Sequence, residues 1–264
     1  MKYEILCKVP FLISERTGKG RKTHPHSLVS GIYNSLTEIT VSASDSVTRQ
    51  LISEGVPKDR IARIECGVCE AEVQRLTSGV ADVFTIAFRA SRIEEIRLFV
   101  SAFNRILQKV PARASLICGE NLKREAEKMI CAFGIARQVD ILCSPFERAS
   151  QILHSDLFVY LNSEDDSLPL EAMRFMSSSV PIAVALTPRN RDFFEENENA
   201  VFFLPYDPFS LSFSVCRVLT DEALYERLSR GARFAWEQRY NDTSMIEEYS
   251  RLYRALGNVS NIPT

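Results

Sequence analysis

The stretch Asp156-Leu-Phe-Val-Tyr-Leu-Asn-Ser-Glu-Asp-Asp-Ser-Leu-Pro-Leu-Glu-Ala-Met173, continuing Arg-Phe-Met-Ser-Ser-Ser-Val-Pro-Ile-Ala-Val-Ala185, decides how this chain reads. It opens with an apolar run, Leu157 to Leu161, of the length and composition of a buried strand. A short acidic, hydroxyl-rich loop follows, Asn162 to Ser167. Leu168 to Met176 then predicts a helix with Ser167 at its N-cap, and Val180 to Val184 a second buried strand. The loop therefore lies at the carboxyl end of the first strand, where open α/β sheets bind ligands. The first amides of a helix lack intrahelical partners and carry partial positive charge, which suits a phosphate. Glu164 and Glu171 beside them have the chemistry to accept hydrogen bonds from sugar hydroxyls. Acids at a helix start also serve simply to complement its dipole, so spacing alone leaves both readings standing.

At 264 residues and 29.9 kDa the chain has room for one large or two small domains. Its 45% hydrophobic and 25% charged residues are those of an ordinary soluble protein. A net charge of -2 makes no electrostatic case for nucleic acid. No apolar run approaches the roughly 18 residues of a membrane span, and the N-terminus lacks a signal-peptide layout, so a cytoplasmic location is expected. The seven cysteines sit mostly in apolar strands or helices, Cys118, Cys131, Cys143 and Cys216 among them, as reduced thiols would.

Along the chain, Glu4 to Val9 predicts a strand, Arg16 to Lys22 a basic loop, and Ser27 to Ser35 a helix. His24-Pro-His26 is too short and isolated for a metal site. A strand over Glu38 to Ser42 leads to a helix over Ser46 to Ser53, capped by Ser44 or Asp45 and ended by Gly55 with Pro57 beyond. Ile61 to Ile64 predicts another strand, and the polar residues 70 to 82 a domain boundary. From Val83 the alternation is regular. Apolar strands over Val83 to Phe88, Ala114 to Cys118, Val139 to Cys143, Asp156 to Leu161 and Val180 to Val184 are separated by helices over Ile93 to Val110, Leu122 to Phe133, Glu147 to His154 and Leu168 to Met176. Continuous apolar strands alternating with helices imply an α/β fold, a Rossmann-like parallel sheet covered on both faces. Pro188 to Glu196 reads as a short helix and Val201 to Leu204 as a last strand. Helices follow over Pro208 to Leu219, Asp221 to Gln238 and Thr243 to Leu256, the last capped by Asp242 or Thr243.

From about residue 36 onward the sequence resembles the second half of a GT-B glycosyltransferase of family 4, whose members use nucleotide sugars with retention. Ile39-Thr-Val-Ser-Ala-Ser-Asp-Ser-Val, Glu54-Gly-Val-Pro and Ile64-Glu-Cys-Gly-Val resemble the segment that closes the family's first domain. Phe88-Arg89 with Phe103 resembles the opening of the donor domain, and Leu116-Ile-Cys-Gly119-Glu120 its central strand and turn. Asp156-Leu-Phe-Val through Leu170-Glu171-Ala-Met with Val180-Pro-Ile resembles its signature, and Asp207-Pro208 with the helix reaching Tyr253 its tail. The resemblance implies three parts. Residues 1–75 would be a truncated remnant of the acceptor-side domain, 76–240 the donor domain, and 241–264 a C-terminal helix and tail. The CxxC of Cys66 and Cys69 lies where the family has a turn built around the glycine matching Gly67, and no second CxxC or nearby His completes a metal set.

What the resemblance implies for chemistry falls on few residues. Arg89 would hold the leaving diphosphate and Glu164 orient the hexose. Glu171 would grip the ribose, with Ser167, Leu168 and Gly119 lining the nucleotide sugar. No metal or cofactor is implied; the donor is a UDP- or GDP-hexose. Three departures stand against this. The family's lysine position carries Glu94, which repels a diphosphate; Arg97, one turn on, compensates in part, while Arg92 lies on the far side of the helix. The two acids of the signature should stand eight positions apart, yet Ser163 holds that place and Glu164 is seven away, with Asp165, Asp166 and Ser167 where glycines are expected. About 70 residues precede the donor domain, too few for a complete acceptor domain, which a homo- or hetero-oligomeric partner would supply. Two readings follow: a glycosyltransferase or its donor half, and a catalytically silent subunit that stabilises or directs a partner. A peripheral contact with the inner face of a membrane stays open to both.

Overall fold

The computed structural model describes residues 13–16, 37–70, 83–143, 154–161 and 169–259. The expected strand over Glu4 to Val9 and the helices over Ser27 to Ser35 and Glu147 to His154 lie outside the described residues, apart from His154. The chain divides into two compact units, one drawn from both ends of the sequence and one continuous except for residues 166–168.

The larger unit, within 69–238, is built on six parallel strands. These are β4 (Phe84–Arg89), β5 (Ala112–Ile117), β6 (Val139–Leu142), β7 (Leu157–Tyr160), β8 (Ile182–Ala185) and β9 (Ala200–Phe203). Their order across the sheet is β6-β5-β4-β7-β8-β9. The chain steps outward from β4 through β5 to β6, returns to β7 on the other side of β4, and steps outward again. Every residue of β7 and of β8 is buried, as expected of strands covered on both faces.

Packing explains which residues face which way. Helices α2 (Ile93–Leu107), α3 (Glu120–Ala132) and α5 (Pro208–Thr220) share a core with one face of the sheet. There Phe88 meets Phe99 and Phe103 of α2 at ring separations of 4.6 and 6.1 Å. Alternate residues of β7 point the other way: Phe158 stacks on Phe175 of α4 (Leu170–Ser177), centroids 3.9 Å apart. Helix α6 (Glu222–Ala235) packs on α4, and its Gly231 lies against the Glu198 carbonyl so closely that any Cβ would collide with it. Three helices end alike. Val56, Ile135 and Val180 return their N–H to Leu51, Ile130 and Phe175, around residues with positive φ: Gly55, Gly134 and Ser179.

The smaller unit contains a parallel sheet in the order β1 (Ile13–Arg16), β2 (Ile39–Ser42), β3 (Ile61–Arg63). Helix α1 (Asp45–Ser53) is capped by Ser44, whose Oγ accepts from the Val47 N–H at 3.3 Å, and packs with Leu51 and Val56. The C-terminal helix α7 (Asp242–Val259) joins this unit: Val68 N–H donates to the Tyr240 carbonyl at 2.8 Å, and Arg239 grips Glu65 through two hydrogen bonds of 2.8 and 3.0 Å. Gly67 lies under the Asn241 backbone with no room for a side chain.

Several boundaries differ from the expectations. The N-cap of α4 is Pro169, two residues beyond the expected Ser167, which lies outside the described residues; lacking an N–H, Pro169 leaves the helix start one donor fewer in need of an acceptor. Pro188 to Glu196 holds a single tight turn, Asn190–Asp192. Helix α6 stops at Ala235 and passes into one wider turn, Trp236–Tyr240. The cap of α7 is Asn241, whose Oδ1 accepts from the Ser244 N–H at 2.7 Å, in place of Asp242 or Thr243. The strand β1 falls at the edge of the basic segment expected to be a loop.

Candidate active site

The sheet reverses its direction of winding between β4 and β7, for the chain after β4 leads to β5 on one side and the chain after β7 leads to β8 on the other. That divergence is the place where open α/β sheets accept ligands. Arg89 is the last residue of β4 and lies in register with Tyr160 at the end of β7. Glu171 is the second residue of α4, the helix that follows β7. Across the divergence the Arg89 Nε donates to Glu171 Oε2 at 2.6 Å, and Arg89 Nη1 donates to the Ala90 carbonyl at 2.8 Å. Both side chains are partly exposed, 27% and 38%, so the pair sits at the rim and remains reachable from solvent. The expected guanidinium and ribose-gripping acid are thus brought together, and each satisfies the other.

The short turn after Arg89 carries more charge than its spacing revealed. Arg92 is the N-cap of α2 and offers no side-chain cap. Glu94 is exposed. Glu95 is fully buried, and its Oε2 accepts from the Ser91 N–H at 2.6 Å. Its Oε1 meets no hydrogen-bond donor; the Arg92 Nη2 stands 3.6 Å away. Arg92 also reaches the Tyr206 hydroxyl at 3.4 Å, and Arg97 is exposed on α2. Sequence reasoning settled on Glu94 and missed Glu95. A signal was present: Glu95 stands four residues before Phe99 on the apolar stripe of α2, and four after Ser91, close to capping-box spacing.

Gly119 caps α3 at the carboxyl end of β5, beside β4. Its φ of -67 is ordinary, and a Cβ there would meet only the Asn121 side chain, at 2.5 Å, so no close backbone approach makes glycine necessary. On either side of it the sheet edge carries two thiols. Cys118 N–H donates to the Leu142 carbonyl at 3.1 Å, which sets Cys118 beside Cys143 on the next strand. Burial raises the pKa of the Cys118 thiol. Burial and a hydrogen bond with Glu120 push that of Cys143 up to about 12. Glu164, Ser167 and Leu168 lie outside the described residues. Among the described residues no cluster of His, Cys, Asp or Glu could hold a metal ion, and no disulfide joins Cys66 to Cys69. No described helix is long and apolar enough to cross a membrane.

Six parallel strands with helices packed on both faces define the class of fold, a Rossmann-like α/β sheet. The family model for glycosyl transferases group 1 matches residues 79–234, and the chain belongs to that family. The solved glycosyltransferase from Rickettsia africae aligns over 92% of this chain and 70% of its own, with a TM-score of 0.78 and 13% identity. Anabaena HepE, solved with UDP and glucose, aligns over 96% and 73%, with a TM-score of 0.75 and 13% identity. Sucrose-phosphate synthase from Thermosynechococcus elongatus aligns over 94% and 68%, with a TM-score of 0.73 and 15% identity. At such identities the likeness is one of fold, the GT-B glycosyltransferase fold. No curated protein matches the sequence.

Proposed function

We propose that this chain is a family-4-like glycosyltransferase, or the donor-binding half of one. It would move a hexose from a UDP- or GDP-sugar to an acceptor hydroxyl with retention of configuration. The observation that carries this reading is the Arg89–Glu171 pair, set across the winding reversal at the start of α4. When a donor enters, the two side chains part. The Glu171 carboxylate accepts from the ribose hydroxyls, and the Arg89 guanidinium turns to the leaving phosphate, with the α4 amides as further donors. Positive charge and fixed dipoles aimed at the group that gains charge as the glycosidic bond breaks are the main catalytic help such a site offers. Glu164, on the loop before α4, would orient the hexose, and Ser167, Leu168 and Gly119 would line the donor. Family membership and the UDP found in Anabaena HepE support this reading.

In this reading residues 76–240 are the donor side, 1–75 the acceptor side, and 241–264 the helix and tail. An oligomeric partner completes the acceptor site, at a cytoplasmic location that includes the inner face of a membrane. A second reading has a specific observation in its favour. Arg89 and Glu171 neutralise each other, and Glu94 and Glu95 begin the neighbouring helix, as in a silent subunit that supports an active partner. Thermal-shift titration with UDP-glucose and GDP-mannose separates the two. Saturable stabilisation that disappears in Arg89→Ala and in Glu171→Ala is expected. Absence of any shift, together with co-purification of another subunit, sinks the transferase reading.

A further inference from the structure

We propose that the outer face of α5, flanked by the basic side of α2, is a docking surface that seats on an anionic phospholipid bilayer. This rests on the membrane contact included in the proposed function and gives that contact a definite place, on the donor side of the chain.

Among the described residues of the larger unit, Val83, Phe133, Leu170 and Phe234 are exposed apolar side chains that lie singly. Leu204, Tyr206, Phe209 and Phe213 are exposed together, within one short stretch of chain. Phe209 and Phe213 stand one turn apart on α5 and are 62% and 55% exposed, so both rings leave the same side of the helix. A solvated helix face carries charge, yet α5 has no acidic residue. Its base, Arg217, is engaged with Asn197 at 2.6 Å and with Glu196 at 4.0 Å. The turn before α5 is tightly bonded. Ser210 Oγ accepts from the Leu204 N–H at 2.9 Å, and Asp207 Oδ1 from the Phe209 N–H at 2.8 Å. Tyr206 is held at a φ of 61, a strained conformation for a residue with a ring, and its hydroxyl accepts from Arg92 at 3.4 Å.

Charge decides what covers these rings. Helix α2 packs beside α5, and its Arg105 guanidinium lies 5.9 Å over the Phe209 ring. Arg97 and Arg105 are exposed and share the outer face of α2, and Lys109 is exposed one turn beyond Arg105. Lys109 also approaches α5: burial raises the pKa of the Cys216 thiol, and Lys109 opposes that rise. Against these bases stands exposed Glu94. Glu95 is buried with Arg92 3.6 Å away, and Asp207 caps α5. The face is therefore basic in a chain whose net charge is -2. Aromatic rings beside arginine and lysine match the boundary between headgroups and acyl chains of an anionic leaflet, where rings enter and cations meet phosphate. A second copy of the chain is a poorer match, since two-fold pairing through this face brings like charges together.

The test is flotation of the full chain with vesicles of equal parts phosphatidylglycerol and phosphatidylcholine, and with vesicles of phosphatidylcholine alone. Wild-type protein is expected to float with the anionic vesicles, to stay behind with the neutral ones, and to detach in high salt. Phe209→Ser with Phe213→Ser removes the rings, and Arg105→Glu with Lys109→Glu reverses the flanking charge. Each pair should lower the partition coefficient by about tenfold or more, with the unfolding midpoint kept because the altered side chains are exposed. Phe213→Trp keeps an aromatic ring and serves if the serine pair does not fold. Its emission should shift to the blue on anionic vesicles and be quenched by brominated acyl chains, whereas the wild-type Trp236, which is buried, should not respond. Wild-type protein that ignores anionic vesicles, or that binds them equally well in both paired variants, overturns the inference. So does a dimer in vesicle-free solution that dissociates in Phe209→Ser with Phe213→Ser, which assigns the face to a second copy. Titration with UDP-glucose and GDP-mannose reads Arg89 and Glu171 and flotation reads α5, so the donor reading and the docking surface can each fail alone.

Discussion

Arg89 and Glu171 hold each other at the solvent rim, and an exposed pair of this kind contributes about 0–1 kcal/mol to folding. A charge-assisted hydrogen bond from arginine to a bound phosphate contributes about 1.5–3 kcal/mol. The pair is therefore better suited to opening for a ligand than to holding the fold. Arg89→Ala should change chemical-denaturation stability by about 1 kcal/mol or less, while nucleotide affinity measured by calorimetry drops tenfold or more. Arg89→Lys keeps the charge and loses the planar fork, so it should fall between the two. Arg89 and Glu171 were legible because their positions follow from a resemblance anchored at both ends by apolar strands. Glu95 was not. Neighbouring acids look alike in a sequence, and only burial and the bond from the Ser91 amide distinguish Glu95 from the exposed Glu94.

Helix ends show the same relation between legibility and cause. Gly55 stands out in the sequence because glycine readily takes the left-handed conformation that ends α1, and Gly134 does the same for α3. Ser179 performs the same task for α4 at a φ of 58, with nothing in its identity to announce it. Relieving that strain, Ser179→Gly should stabilise the protein by up to about 1 kcal/mol, read as a rise in unfolding midpoint. The wider turn at Trp236–Tyr240 and the strand β1 are equally silent, since a single odd turn and four residues with Ser and Glu carry no periodicity. At the adjoining ends of β5 and β6, burial raises the Cys118 thiol above its ordinary value, and burial with the Glu120 hydrogen bond pushes Cys143 up to about 12. Alkylation of Cys143 by iodoacetamide should stay slow in the native protein up to about pH 9 and become fast on unfolding, as the thiolate is the nucleophile. The Cys143 contribution to stability is fully present below the ordinary thiol value of 9.0 and lost as pH rises toward about 12, because unfolding then releases a proton that the native state retains. Chemical denaturation across that interval should show the fall, reduced in Cys143→Ala.

On the scale of the whole molecule, the six-stranded unit contains its own core, drawn from β4 to β9 and from α2, α3, α5 and α6. The three-stranded unit takes Glu65, Gly67 and Val68 from one part of the chain and Arg239, Tyr240 and Asn241 from another. Removing residues 239–264 should leave slow amide exchange in β4, β5, β7 and β8 intact, and abolish protection in β2 and β3. Loss of protection in β7 would contradict that division. Gly231→Ala acts in the other unit: its methyl would strike the Glu198 carbonyl, which has no rotamer to yield, at a cost of about 1–3 kcal/mol in denaturant unfolding. The alternation of apolar strands with helices made the large sheet readable, since strands buried on both faces need unbroken hydrophobic runs. Partnership between distant chain segments leaves no such periodic trace.

That partnership sets a schedule for biosynthesis. A nascent chain delivers the strands near residues 39–63 well before the helix at Asp242–Val259. Vectorial folding, in which the first-made part is finished first, is therefore closed to this protein. The middle of the chain can settle while its beginning waits, and during that interval the early strands are clients for a chaperone.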